Sequence, residues 1–311
     1  MNNKKYCVYI GDVALDEYYR AEYWPTIKDK ALVEALPAVP GGMIANAACV
    51  AAALGLQVKF GSTLNSGAIT QALLADLESS HVDTSLVMFD ETLPDSKTMI
   101  FLVNDEHTIF IPKLGQRVLE LSEKQLNILA SALFIYSTPS EMARLRCGTL
   151  DGNGVIDYCR EKGARLVYDL DVDYIKDGSE EHYKRLDIAF FNEVGFRSYC
   201  GARNDATAAE QLLSYGLAYV VVTFAEKGCH VYSRDGHFHS PAYPVEVVDV
   251  TGAGDTFCSS FLFAIYEGKD AKYAADFANA AASICVSQLG ARAGAVSADV
   301  VRCVMDQRNA P

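Results

Sequence analysis

Between residues 132 and 224 four apolar runs recur at strand length: ALFIYS at Ala132–Ser137, RLVYDL at Arg165–Leu170, DIAFF at Asp187–Phe191 and YVVVTF at Tyr219–Phe224. Each is nearly continuous rather than alternating, the pattern of a strand buried on both faces of a parallel sheet. Helical segments separate them near Gly154–Lys162 and Asp205–Tyr215. The same rhythm runs outward in both directions. Tyr6–Ile10 (YCVYI) and Val58–Gly61 predict two more strands, and Ala68–Glu78 a helix. The small-residue run Gly42–Leu54 predicts another helix, closed by Gly55 just past its end, where glycine is favoured. The last third predicts helices over Ala253–Glu267, Ala271–Leu289 and Ser297–Asp306. Alternation on this scale predicts an α/β fold, a doubly wound, mostly parallel sheet flanked by helices, with residues 1–311 forming one domain.

Two stretches break the rhythm. Residues 13–40 carry charges and aromatics (Tyr18, Tyr19, Tyr23, Trp24) without a helical period. Residues 97–112, KTMIFLVNDEHTIFIP, predict two strands around Asn104-Asp105-Glu106, a β-hairpin. Both predict extra β-structure, pairing as a small β-rich sheet over one end of the domain.

Composition removes several function classes. Among 311 residues, 27 Lys and Arg face 40 Asp and Glu, for a net charge of −13. That balance lacks the broad basic surface needed for phosphate-backbone contact, so no nucleic-acid partner is expected. The nine cysteines are odd in number, widely spaced and without a C-x-x-C pair, which predicts reduced core thiols. The N-terminal apolar run is too short for a signal peptide, and no segment approaches the ~20 apolar residues of a membrane span. A cytoplasmic protein without a membrane partner is expected.

The sharpest chemical signal is Asp249-Val-Thr251-Gly252-Ala253-Gly254-Asp255-Thr256-Phe257, which follows the apolar run Val245–Val248, read as a strand, and opens a small-residue helix. Gly252, Ala253 and Gly254 can present consecutive amides at a helix N-terminus, where an anion is held by N–H groups and the helix dipole. Asp255, in the first turn, suits a proton acceptor kept ionised by the same dipole. No G-K-[ST] follows and no third glycine completes G-x-G-x-x-G, so the loop is neither a Walker A nor a dinucleotide fingerprint.

This motif resembles the D-T-x-G-A-G-D signature of the ribokinase/PfkB family of carbohydrate kinases. Pro40-Gly41-Gly42-Met43-Ile44-Ala45-Asn46-Ala47-Ala48 is similar to the family's P-G-G-x-x-x-N-x-A motif, in which the glycines abut a sugar and an asparagine offers both a donor and an acceptor. Gly11-Asp12 through Asp16 resembles the opening G-x-x-x-x-D, whose last aspartate accepts from substrate hydroxyls. Val222-Thr223-Phe224-Ala225-Glu226-Lys227-Gly228 is similar to the V-T-x-G-x-x-G stretch beside the nucleotide, with Ala225 in place of a glycine. Asn279 matches an asparagine bordering the adenine pocket, and Gly290-Ala291 the turn after its helix. The resemblance spans nearly the whole chain and implies a ribokinase-like fold. It places the insertions at 13–40 and 97–112 where the family has its lid.

Three departures stand out. The family's N-x-x-E signature, whose acid positions a Mg²⁺–phosphate water network, reads Asn192-Glu193-Val194-Gly195. D-P-N-x-R reads Asp169-Leu170-Asp171-Val172-Asp173, and G-x-D-x-x-G reads Gly61…Asn65-Ser66-Gly67.

The resemblance implies ATP-dependent phosphoryl transfer to a hydroxyl of a small neutral sugar. Asp255 is then the base and 252–254 the anion loop, with Asp12, Asp16, Gly41, Gly42 and Asn46 orienting the acceptor. Asn192, Thr223, Gly228, Thr251, Gly252, Gly254 and Asn279 border the nucleotide. Mg²⁺ is expected near Glu193 if residues 193–195 are extended, because positions two apart then share a side. A monovalent cation such as K⁺ is implied beside Asp249 and Thr251, and a homodimer through the lid. A nucleoside kinase of the same fold, with Tyr18, Tyr19 or Trp24 stacking on a base, and a catalytically weakened sugar-binding sensor are the alternatives.

Overall fold

In the computed structural model, residues 6–104, 106–112, 118–170 and 180–309 are described. Nine strands form one sheet in the order Gly236–Ser240, Cys229–Ser233, Tyr219–Thr223, Ile188–Asn192, Arg165–Asp169, Phe134–Ser137, Cys7–Ile10, Val58–Gly61, Val82–Asp83. All pairings from Tyr219–Thr223 to Val82–Asp83 are parallel, and the other two are antiparallel. Successive side chains enter opposite cores, as a period of two requires. Tyr9, Tyr136 and Phe190 face the helices Met43–Ala53, Ala253–Tyr266 and Ala271–Val286. Val8, Ile135 and Phe191 face the helices Glu123–Ala130, Gly152–Glu161, Glu193–Cys200 and Asp205–Ser214. The predicted doubly wound α/β architecture is what the chain adopts.

Strand order reverses beside Cys7–Ile10: later strands are added to one side as far as Val82–Asp83, then to the other from Phe134–Ser137 onward. The crevice outside the carboxyl ends at such a switch is where open α/β sheets bind ligands. Asp12, Asp169, Asn192 and Thr223 all stand at or just past the carboxyl ends of their strands.

The two insertions pair with each other. Ala14–Ala21 runs parallel to Lys97–Val103, which forms a hairpin with Glu106–Phe110; Val33–Ala35 and Val39–Gly41 pair with Ala14–Ala21 from the other side. Glu106 belongs to the second hairpin strand, and Asn104 turns at φ 51°, a left-handed conformation that asparagine tolerates. Asp105 lies outside the described residues.

The structure corrects the strand expected over Val245–Val248. These residues pair with no strand, and Val245, Val247 and Val248 are exposed. The sheet already ends at Gly236–Ser240, so the segment crosses to the helix Ala271–Val286, where the amides of Val248 and Asp249 donate to the Val286 carbonyl (2.7 and 3.2 Å). The antiparallel pair Cys229–Ser233 and Gly236–Ser240 was not expected, because its strands (CHVYS, GHFHS) are too polar to read as buried. Eight of the nine cysteines are buried free thiols and Cys303 is exposed.

Candidate active site

One end of the crevice is built around Gly41 and Gly42. The backbone enters the helix Met43–Ala53 through Gly42 at φ 100°, where a Cβ would stand 2.7 Å from the Val13 Cα. A Cβ on Gly41 would overlap the Asp16 carboxylate. The two glycines therefore let the chain pass the strand that carries both aspartates. Gly42 has no side-chain cap to offer, and Asp12 supplies it from across the crevice, accepting from the amides of Met43 (2.9 Å) and Ile44 (3.1 Å). Desolvation pushes the Asp12 carboxyl up, against those donors. Asp16 is buried; desolvation raises its carboxyl to about 6, opposed by a hydrogen bond from Thr98, reinforced by Asp12 and eased by the charge of Arg292.

The other end is the loop before the helix Ala253–Tyr266. Asp249 holds it in shape: Oδ1 accepts from the Thr251 amide (2.9 Å) and hydroxyl (2.7 Å), and Oδ2 from the Gly290 amide (2.9 Å). Gly252 turns at φ 78° against the Ala291 carbonyl, leaving no space for a side chain. A Cβ on Gly254, in contrast, would meet nothing within 4 Å. Among the described residues, the amides of Gly252 and Gly254 have no protein acceptor. This is an open helix N-terminus with room in front of it, which fits a phosphate group. Ala253 is corrected out of the donor set, since its amide already donates to Val250 (3.2 Å).

Asn46 joins the two ends. Its Nδ2 donates to Asp255 Oδ2 (3.1 Å), 209 positions away, and both residues are buried. The acceptor motif and the anion loop thus meet over one crevice. Tyr18 turns inward as well, its phenol pushed up by burial and by the charges of Asp16 and Asp249. Tyr19 and Trp24 instead pack within the small sheet, Tyr19 on Phe101 (5.3 Å between centroids) and Trp24 on Phe110 (6.1 Å).

Among the residues expected to border a nucleotide, Thr223 closes its strand, its hydroxyl donating to Phe191 (3.4 Å). Ala225 adopts a left-handed conformation, φ 47°, that glycine takes more readily. A Cβ on Gly228 would strike the Ser240 carbonyl, and Asn279 donates to that same carbonyl (3.1 Å) and to Ser240 Oγ (3.0 Å). Asn279 and Gly228 therefore lock the sheet edge to the helix Ala271–Val286. Asn65, where an aspartate was expected, donates to Asp95 Oδ1 (3.0 Å), a bond that a second carboxylate would turn into repulsion.

The expectation for Glu193 required an extended backbone, and the structure corrects it. Asn192 caps the helix Glu193–Cys200, its Oδ1 accepting from the Gly195 amide (2.7 Å). In a helix, positions two apart diverge by about 200°. Glu193 instead faces Arg197 at 4.0 Å, one turn along. Asp171 and Asp173 lie outside the described residues.

Sequence reasoning missed three participants. Arg292 donates from Nε to Asn46 Oδ1 (3.0 Å) and pairs with Asp76, and Tyr136 donates to the buried Asp169 carboxylate (2.6 Å). A lone arginine among glycines and alanines (Gly290–Gly294) was the available signal for the first. A separate cavity of about 630 Å³, lined in part by Arg197, Asp205, His230 and His237, shares no residue with this crevice.

A doubly wound sheet whose crevice brings an open helix N-terminus to a buried carboxylate is an arrangement suited to phosphoryl transfer. The family model of the pfkB family carbohydrate kinases matches residues 4–298, and the chain belongs to that family. It is a carbohydrate-kinase-class phosphotransferase. Ribokinase of Bacillus subtilis (strain 168) is 27% identical over 297 residues, covering 93% of this chain and 94% of that protein. Fructokinase-1 of Oryza sativa subsp. japonica is 28% identical over 298 residues, covering 87% and 90%. Among solved structures, Arabidopsis thaliana ribokinase complexed with ribose and ATP superposes with a TM-score of 0.84 at 23% identity, covering 96% of this chain and 98% of that one. An Escherichia coli neighbour in complex with ATP and Mg²⁺ gives 0.78 at 18%, covering 97% and 99%. No helix among the described residues is long and apolar enough to cross a membrane.

Proposed function

We propose that this chain transfers the γ-phosphoryl group of ATP to a hydroxyl of a small neutral sugar, with Asp255 as general base. The observation that carries it is the Asn46–Asp255 hydrogen bond, which sets the carboxylate between the acceptor pocket and the open helix N-terminus. Asp16 and Asn46 would orient the acceptor, and Asp12 shapes its pocket by capping the helix beneath it. Asp255 would take the hydroxyl proton as the oxygen attacks, while the Gly252 and Gly254 amides meet charge on the transferring phosphoryl. The exposed valines 245, 247, 248 and 250 leave an apolar flank beside the loop for the base of the nucleotide. Mg²⁺, when bound with ATP, neutralises phosphate charge; it takes few protein ligands and several waters.

Asp249 and Thr251 are the residues that would hold a monovalent cation such as potassium, read as a rise in rate on adding KCl in place of a bulky organic cation. The small sheet would close over the sugar as a lid. It leaves Ile27 and Leu32 almost fully exposed, along with Ile109 and Ile111, a surface we assign to a second copy of this chain.

The test is ADP formation with a panel of neutral sugars, sugar acids, sugar phosphates and nucleosides, in wild type and Asp255→Asn. The neutral amide cannot take the proton, so kcat should fall by about 10²–10⁴ with ATP binding kept within a few-fold. A variant keeping a third of wild-type kcat contradicts the role of Asp255. Turnover confined to nucleosides makes the chain a nucleoside kinase, and sugar binding without ADP formation makes it a sensor.

A further inference from the structure

We propose that Arg292 is a positioning residue of this kinase: through its Nε it fixes the Asn46 side-chain amide so that the NH₂ group points at Asp255. The proposal rests on Asp255 being the base. Asn46 lies between two groups of opposite character, with Arg292 Nε 3.0 Å from its Oδ1 and Asp255 Oδ2 3.1 Å from its Nδ2. A guanidinium can only donate, so the amide oxygen must face it, and the NH₂ group is left for the carboxylate. Turned over, the amide would set donor against donor on one side and acceptor against acceptor on the other.

An ionised Asp255 alone enforces that orientation only while it lacks a proton. Once the hydroxyl proton has arrived, a protonated carboxyl can donate, and the amide loses its preference. Arg292 keeps the preference through the proton transfer, because a guanidinium has donors and no acceptor.

The guanidinium is itself held rigidly. It pairs with Asp76 on the helix Ala68–Ser79, and a glycine-rich turn at 290–294 carries it, with the Gly290 amide bonded to Asp249 of the anion loop. Its Nη2 is buried with no protein partner among the described residues.

A double-mutant cycle tests this, with kcat measured at saturating ATP and at saturating levels of the sugar giving the fastest ADP formation. Arg292→Met should lower kcat about tenfold or more, and Asn46→Ala likewise. The double variant should be no slower than Asn46→Ala within about twofold, because one residue acts through the other. Multiplying effects overturn the proposal, as does an Arg292→Met enzyme with a lowered Tm and an unchanged kcat. Arg292→Lys separates packing from positioning: it should recover Tm through Asp76 and leave kcat low, since one ammonium lacks the two-sided fork. Recovery of kcat in step with Tm counts against the proposal. Asp255→Asn at wild-type speed would instead remove the base on which it rests, an outcome that these arginine variants cannot mimic.

Discussion

Two helix N-termini of this molecule are finished in opposite ways. At Asn192 the helix is closed by its own cap: the side-chain oxygen takes the Gly195 amide, and Glu193 turns outward to Arg197. At Gly252 no side chain caps the helix, the amides of Gly252 and Gly254 keep their donors, and the first-turn carboxylate is buried facing the acceptor pocket. A cap satisfies donors that a ligand would otherwise use. The first end is satisfied by protein, and the second leaves the donors that the proposed phosphate contact would use. The left-handed turn at Gly252 and the tether from Asp249 are what the open end needs to hold its shape without a cap.

Substitutions at the open end should divide sharply between Gly252 and its neighbours. Gly252→Ala puts a side chain at φ 78° against the Ala291 carbonyl. It should cost about 1–2 kcal/mol for the backbone and about 1–3 kcal/mol for the overlap, visible as a lower Tm. A wild-type Tm would show that the loop is looser than described.

Asp16 sharpens the comparison from the other end of the crevice, because burial raises its carboxyl to about 6 and an ionised form there costs stability. A raised acid favours the protonated folded state. Its stabilising contribution is complete below the ordinary carboxyl range and is lost as pH rises through about 6. Asp16→Asn should therefore raise Tm at pH 8 and change it about half as much at pH 5, while weakening sugar binding chiefly at pH 8. In wild type, sugar KM should climb as pH falls below about 6, because a protonated acid accepts fewer hydroxyl hydrogen bonds. A flat KM between pH 5 and 8 would remove Asp16 from acceptor binding.

The smallest effects belong to the closed end. Asn192→Ala should lose about 1 kcal/mol of stability with its cap. Glu193→Gln should leave the Mg²⁺ needed for half-maximal rate unchanged, since its carboxylate faces Arg197. A raised Mg²⁺ requirement in Glu193→Gln would reopen the closed end as part of the phosphate site.

The contrast between the two ends also marks what was legible in the sequence. The parallel strands announced themselves because continuous apolar runs report burial on both faces, and the uncapped helix start at Gly252 because glycine brings no capping side chain. The run Val245–Val248 misled because β-branched residues signal strand without saying whether a partner edge remains. Ala225 looked like a departure, yet its backbone adopts a left-handed turn; residue type and conformation are separate facts. Glu193 could not be placed because extended and helical backbones send its side chain in different directions, and local sequence did not choose between them. Arg292 was invisible because its meaning lies in Asn46, 246 positions away, and in Asp76, 216 away.

The claim that the Gly252 end is held open for phosphate is tested most directly at Gly254, where a methyl group would enter open space rather than protein. Titrating ATP·Mg²⁺ into Gly254→Ala by calorimetry, beside its thermal unfolding, separates the two roles. Alanine suits a helix's first turn better than glycine, so Tm should hold or rise slightly. ATP affinity should fall about tenfold or more as the methyl group crowds the amides, a loss of about 1.4 kcal/mol or greater. A Gly254→Ala protein that binds ATP like wild type would contradict the account.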